Sequence, residues 1–185
     1  MPADLSPLIS ATTQWLTCAY PSSGGAMSAA LTEAQARQAV TVAAWLRYPT
    51  PMDAALVSVT GPGGSARLDW LTGADAPGSD APGSDASDPD GEAERAWRSW
   101  VDEVVASWAA ALLSTPALAE TAVNALADSW HTSGTPVEFR RLVAPDTHEQ
   151  QAAALLRHPD LLAPLAELHH PELLTRLDTD RVLDG

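Results

Sequence analysis

Apolar residues recur along most of this chain at three- and four-residue intervals, and the pattern is clearest over residues 92–113. Wound at about 100° per residue, Trp97, Trp100, Val101, Val104, Trp108, Ala111 and Leu112 share one arc of about 120°. Arg95, Arg98, Ser99, Asp102 and Glu103 take the opposite side. The spacing predicts a helix over 92–113, roughly 33 Å long, as the element that the rest of the chain packs against.

Ahead of it, Leu5, Leu8, Ile9, Leu16 and Ala19 sit at helical spacing, with Ser6 as a cap and Pro7 in the first turn. Cys18 lies beside that stripe and reads as a small buried hydrophobe. A Pro/Ser/Gly break covers 21–26, after which Met27 offers an alternative beginning to the chain. Thr32 with Gln35 reads as a capping box opening a second helix that runs to about Arg47, where Tyr48, Pro49, Thr50 and Pro51 stop it.

The period then changes to two. Ala55, Val57 and Val59 alternate with Leu56, Ser58 and Thr60; beyond Gly61–Gly64, Ala66, Leu68 and Trp70 alternate with Arg67 and Asp69. That predicts a β-hairpin, with residues 137–143 as the other strand candidate. Over 73–91 the segment DAPGS repeats and Asp, Pro, Gly and Ser dominate. Such a composition cannot offset the entropy of ordering and reads as a disordered acidic loop.

Past the tryptophan-rich stretch, Thr115 and Pro116 open a helix running to Trp130, with Leu118, Ala122, Ala125, Leu126 and Ser129 on one face. The short connection at 113–116 implies an antiparallel neighbour, and residues 131–136 form a loop. Asp146 with Glu149 starts another helix by capping logic, with Leu155 and Leu156 inward. His158-Pro-Asp-Leu-Leu with Leu165 is echoed twelve residues later by His170-Pro-Glu-Leu-Leu with Leu177; Pro164 is expected to break the first copy. Two copies of this length fall short of a solenoid. The expected fold is mostly α (α+β), a bundle of about six or seven helices with one β-hairpin. It comprises a helix–helix–hairpin unit (1–72), a linker (73–91) and a helical unit (92–185), the outer two forming one domain.

Composition narrows the chemistry. Among 185 residues, 24 acidic side chains face 10 basic ones, for a net charge of −14. Nucleic acids and anionic membranes repel such a surface, so neither is an expected partner. Every basic residue is Arg, as in proteins of a high-GC bacterium. Without lysine the chain cannot carry out phosphate-loop nucleotide binding, pyridoxal Schiff-base chemistry, the protein-kinase strand-lysine mechanism or S-x-x-K acylation. The lone Cys18 excludes an intrachain disulfide and a cysteine zinc site. With neither a secretory signal pattern nor a long apolar run, the chain reads as cytoplasmic.

Short motifs fare poorly in context. Gly61-Pro-Gly-Gly-Ser-Ala66 matches a dinucleotide fingerprint, but period-two residues rather than a helix follow it. The acidic run 88–92 puts Ala86 and Trp97 at the first and last ligand positions of a calcium loop. HEQQA at 148–152 lacks the second His of a zinc protease, and no G-x-S-x-G elbow exists. Asp128-x-x-His131 and Glu167-x-x-His170 each place a carboxylate and an imidazole at one-turn spacing; joined by other carboxylates, Glu103 among them, they describe a two-metal bundle site. Both histidines fall where helices are expected to end.

The expected function is therefore non-enzymatic and cofactor-free: binding another protein as an adaptor, assembly factor or regulator, with a homodimer as a further expectation. Trp97 and Trp100, at the start of their helix, and the Phe139-Arg140-Arg141 triplet are the candidate contacts. The alternatives are a metal-dependent bundle enzyme or sensor using Asp128, His131, Glu167 and His170, and a small-molecule binding module lined by Trp.

Overall fold

Local sequence rules start most of the helices, though not always where the apolar pattern alone puts them. The computed structural model describes residues 5–60, 102–127 and 139–183, with residue 60 and the last five described through their backbone alone. Helix α1 (Ser6–Ala19) has Leu5 at its N-cap and Pro7 in its first turn; Ser6 is already helical and makes no capping bond. Its buried face is Leu5, Leu8, Ile9, Thr12, Thr13 and Leu16, continuing to Tyr20. Cys18 and Ala19 lie off that series and are exposed, contrary to expectation.

Helix α2 (Ala26–Arg47) begins six residues ahead of Thr32, with Gly25 at its N-cap. The intervening Ala, Met and Leu residues are good helix formers, so the helix propagates back to the Pro/Ser/Gly break. Gly24 is required in that turn, because a Cβ there would stand 2.4 Å from the Ser28 Cβ. Thr32 and Gln35 are consequently buried mid-helix residues rather than caps.

Residues 51–60 overturn the expected first hairpin strand. They form helix α3 (Pro51–Thr60). Thr50 Oγ1 accepts from the Asp53 N–H at 3.2 Å, Asp53 Oδ2 accepts from the Thr50 N–H at 3.1 Å, and Pro51 takes the first helical position. This reciprocal cap starts a helix that the β-branched alternation does not stop. The second arm and the 73–91 segment lie outside the described residues.

Helix α4 (Glu103–Ser114) is the axis of the structure, but it does not run through from residue 92. Asp102 has an extended backbone, and its Oδ1 accepts from the N–H groups of Val104 (3.0 Å) and Val105 (3.2 Å), satisfying donors that a helix start leaves open. Asp102 is therefore buried at a helix N-terminus, not set on a solvent face. From Val104 to Leu113 every residue is buried, as expected of a helix surrounded by others. It packs against α1, α2, α5, α8 and α9. Alanines at 36, 39, 43 and 44 on α2 and at 106, 109, 110 and 111 on α4 allow close approach of the two helices.

Helix α5 (Pro116–Leu126) follows antiparallel logic, with Pro116 at N1 and Ala119, Ala122 and Leu126 inward. The described part of the strand candidate 137–143 is instead a single helical turn, α6 (Arg140–Val143). Asp146 and Glu149 form the expected capping box of α7 (Thr147–Ala152), and a 3₁₀ turn (Leu155–Arg157) follows. Helix α8 (Pro159–Glu167) continues through Pro164 instead of breaking there; the carbonyl that Pro164 cannot serve belongs to exposed Asp160.

The echoed motif is used in two registers. His158 caps α8, whereas α9 (His170–Leu183) starts with His170 inside the helix, after a bond from the Leu173 N–H to the His169 carbonyl. The shift of one residue puts Leu162 and Leu173 at the same fourth helical position, and both are fully buried. Ser107 and Trp108 of α4 fasten this junction. Ser107 Oγ donates to the Ala166 carbonyl and accepts from the His169 N–H, and the Trp108 indole donates to the His169 carbonyl. Nine α-helices and one 3₁₀ turn, with no strand, make up the described residues. None of these helices is long and apolar enough to cross a membrane.

Candidate functional site

The most concentrated chemistry inside the fold gathers around Arg157. Its Nε and Nη2 both donate to Gln35 Oε1, at 3.1 and 2.9 Å, and its Nη1 donates to the Leu113 carbonyl at 3.2 Å. The last contact serves one of the carbonyls that the end of α4 leaves open. Gln35 Nε2 donates to the Glu149 carbonyl at 2.8 Å, and Thr32 Oγ1 donates to the Ala152 carbonyl at 2.7 Å. The Glu149 side chain, 3% exposed, receives Arg140 at 2.8 Å and Arg141 at 3.0 Å on Oε1, while its Oε2 accepts from the Asp146 N–H. Burial pushes the Arg157 guanidinium below its ordinary pKa, and the nearby Glu149 charge works against that shift. Each of these groups is engaged in joining α2, α4, α6 and α7, so the cluster offers neither an open nucleophile nor a free base.

A second buried pair joins α2 to α4. The Tyr48 hydroxyl donates to Asp102 Oδ2. Burial, then the adjacent Asp102 charge, pushes the phenol pKa well above its ordinary range, so Tyr48 stays neutral. The geometry suits a clasp between the end of α2 and the start of α4.

The candidate residues are distributed as follows. Trp97, Trp100, Asp128 and His131 lie outside the described residues. Phe139 is buried, with its ring edge-to-face on Trp45 at 6.0 Å between centroids. It also walls a shallow cavity of about 280 Å³ with Ala34, Arg37, Gln38 and Thr41 of α2. Arg140 and Arg141 converge on Glu149, the neutralisation of an acidic neighbour within the chain. Glu167 ends α8 and His170 begins α9, both exposed, so the pair straddles a helix boundary instead of sharing one face. His170 thus stands at a helix start rather than a helix end. Among the described residues no three His, Cys, Asp or Glu side chains are grouped to hold a metal ion.

One surface feature stands apart from this inward-turned chemistry. On α3, Ala54 and Val57 face the core, while Met52, Leu56 and Val59 are 75%, 47% and 72% exposed. Their spacing of four and then three residues puts all three on one helix face. The Thr50–Asp53 spacing is a local cap signal, but in the sequence Thr50 reads as a helix stop and Gln35 as a capping-box residue instead of a buried one. Nothing in the sequence pointed to Arg157 as the partner of Gln35. Comparison of the chain with protein-family models, with characterised proteins and with solved structures finds no match.

Proposed function

We propose that this is a cytoplasmic, non-enzymatic protein that works by binding another protein, and that the outward face of α3 is its anchor. The observation that carries the reading is the row Met52, Leu56, Val59, exposed on a helix whose opposite face holds it to the core. Apolar side chains at i, i+4 and i+7 are the spacing with which an amphipathic helix seats itself in a groove. Methionine adapts to irregular apolar surfaces. The net charge of −14 selects a partner whose groove has a basic rim, and it opposes a second copy of this chain through self-repulsion. The fully engaged Gln35–Glu149–Arg157 cluster is a supporting feature, since a chain acting as a binding partner needs no reactive centre.

Site-specific photo-crosslinking in the native cell tests this. A benzophenone side chain at position 52 is expected to give one discrete adduct with a different, basic protein. The same probe at exposed Glu120 on α5 should give none. Equal adducts from both positions, no adduct at position 52, or an adduct only with a second copy of this chain would each overturn the proposal.

A further inference from the structure

A cavity of about 330 Å³ lies where the last turn of α2, the middle of α4 and the first half of α9 meet. That volume is at the lower end of the range that takes small ligands. Leu46 and Trp108 supply apolar wall, and Arg47, Arg176, Thr175 and Glu172 supply polar lining. Among the described lining residues, two guanidinium groups face one carboxylate, an excess of positive charge in a chain that is strongly acidic.

The two arginines differ from Arg157 in how their donors are used. The Nε atoms of Arg47 and Arg176 are both buried, and neither has a hydrogen-bond acceptor among the described residues. Buried donors of this kind are uncommon, and each calls for a specific explanation. Arg47 is steadied by the Tyr48 ring, with its guanidinium carbon 5.4 Å from the ring centroid. The Trp108 indole N–H is already committed to the His169 carbonyl, and the Thr175 hydroxyl to the Pro171 carbonyl at 2.9 Å. Glu172 stands 3.5 Å from His169 Nδ1 and is half-exposed, so its charge bears on the cavity from the rim. Each of the two cavity arginines therefore keeps one buried N–H donor without an acceptor among the described residues. Guanidinium groups are shaped to pair with planar or tetrahedral oxygen anions.

We propose that this cavity binds a small organic oxyanion, a carboxylate or a phosphate, with Arg47 and Arg176 as its counter-charges and Trp108 as its floor. The site is separate from the α3 face, and neither inference depends on the other.

The test is ligand-observed NMR on the full chain, following phosphorus line width for inorganic phosphate and saturation transfer for succinate. Saturable binding is expected with a Kd of about 1 mM or tighter. Arg47→Gln combined with Arg176→Gln should weaken it by roughly tenfold or more, since both paired charges are lost. Glu172→Gln should tighten it by about two- to fivefold, because a like charge leaves the rim. A damaged fold could imitate the first effect but not the second. Binding of phosphate alone would specify a phosphate-bearing ligand, succinate alone a carboxylate, and both together their shared chemistry. No saturable binding of either probe, undiminished binding in the double variant, or no tightening in Glu172→Gln would overturn the proposal.

Discussion

The Gln35–Glu149–Arg157 cluster and helix α3 use their side chains in opposite ways. In the cluster, polar and charged groups sit inside the protein and each meets a complementary group: guanidinium to amide oxygen, amide to carbonyl, carboxylate to two arginines. On α3, apolar groups sit outside, with Met52 and Val59 about three-quarters exposed. A buried polar group left unmatched costs free energy, so the cluster has to be self-sufficient to exist. An exposed apolar row costs solubility and contributes nothing to the fold. The contrast teaches that this cluster spends its polar groups on holding helices together, whereas α3 leaves an apolar row at the surface.

The largest effect that would break this comparison comes from the N-terminus. Starting the chain at Met27 removes Leu8 and Leu16, both essentially fully buried, together with Leu5 and Ile9. At about 1.5–3 kcal/mol for each buried side chain, the loss rivals a whole domain's stability of about 5–15 kcal/mol. The shortened chain should show no cooperative unfolding transition by circular dichroism.

Next comes Arg157→Met. It strands Gln35 Oε1 and the Leu113 carbonyl inside the protein and should cost about 2–4 kcal/mol in urea unfolding. Tyr48→Phe follows, at about 1–3 kcal/mol, because buried Asp102 loses one of its donors. Its pH dependence sharpens the point. Since the Tyr48 pKa is raised on folding, its neutral form is fully favourable below the unfolded value of about 10. Above about pH 10 the unfolded chain ionises first and stability falls with rising pH; Tyr48→Phe should flatten that fall. The smallest effect is expected from Arg140→Ala. This side chain is half-exposed and Arg141 still reaches Glu149, so the loss should stay below about 1 kcal/mol.

The helices were largely legible in the sequence, because the 3.6-residue period and the capping rules act locally. The Asp146–Glu149 box, Pro116 at N1 and the buried face of α1 up to Leu16 are read directly from neighbouring residues. The failures arose where two local signals competed. The alternation of Val57 and Val59 suggested a strand, but the Thr50-Pro-x-Asp cap prevailed and made α3. Asp102 looked like a polar-face residue of a continuous helix, yet its carboxylate caps the start of α4. Much of the candidate chemistry was not legible, because pairings such as Gln35 with Arg157, or Arg47 beside Arg176, join residues more than a hundred positions apart. The Glu167–His170 spacing misled for a related reason, since the one-turn rule holds only within a single helix.

Urea unfolding of a chain carrying Met52→Asp with Val59→Asp tests the central claim most directly. If the outward face of α3 is reserved for a partner, two acidic substitutions there should leave the free energy of unfolding within about 0.5 kcal/mol of the parent. A loss of about 2 kcal/mol or more, of the size expected for Arg157→Met, would mean that this face is covered in the native protein and would contradict the account.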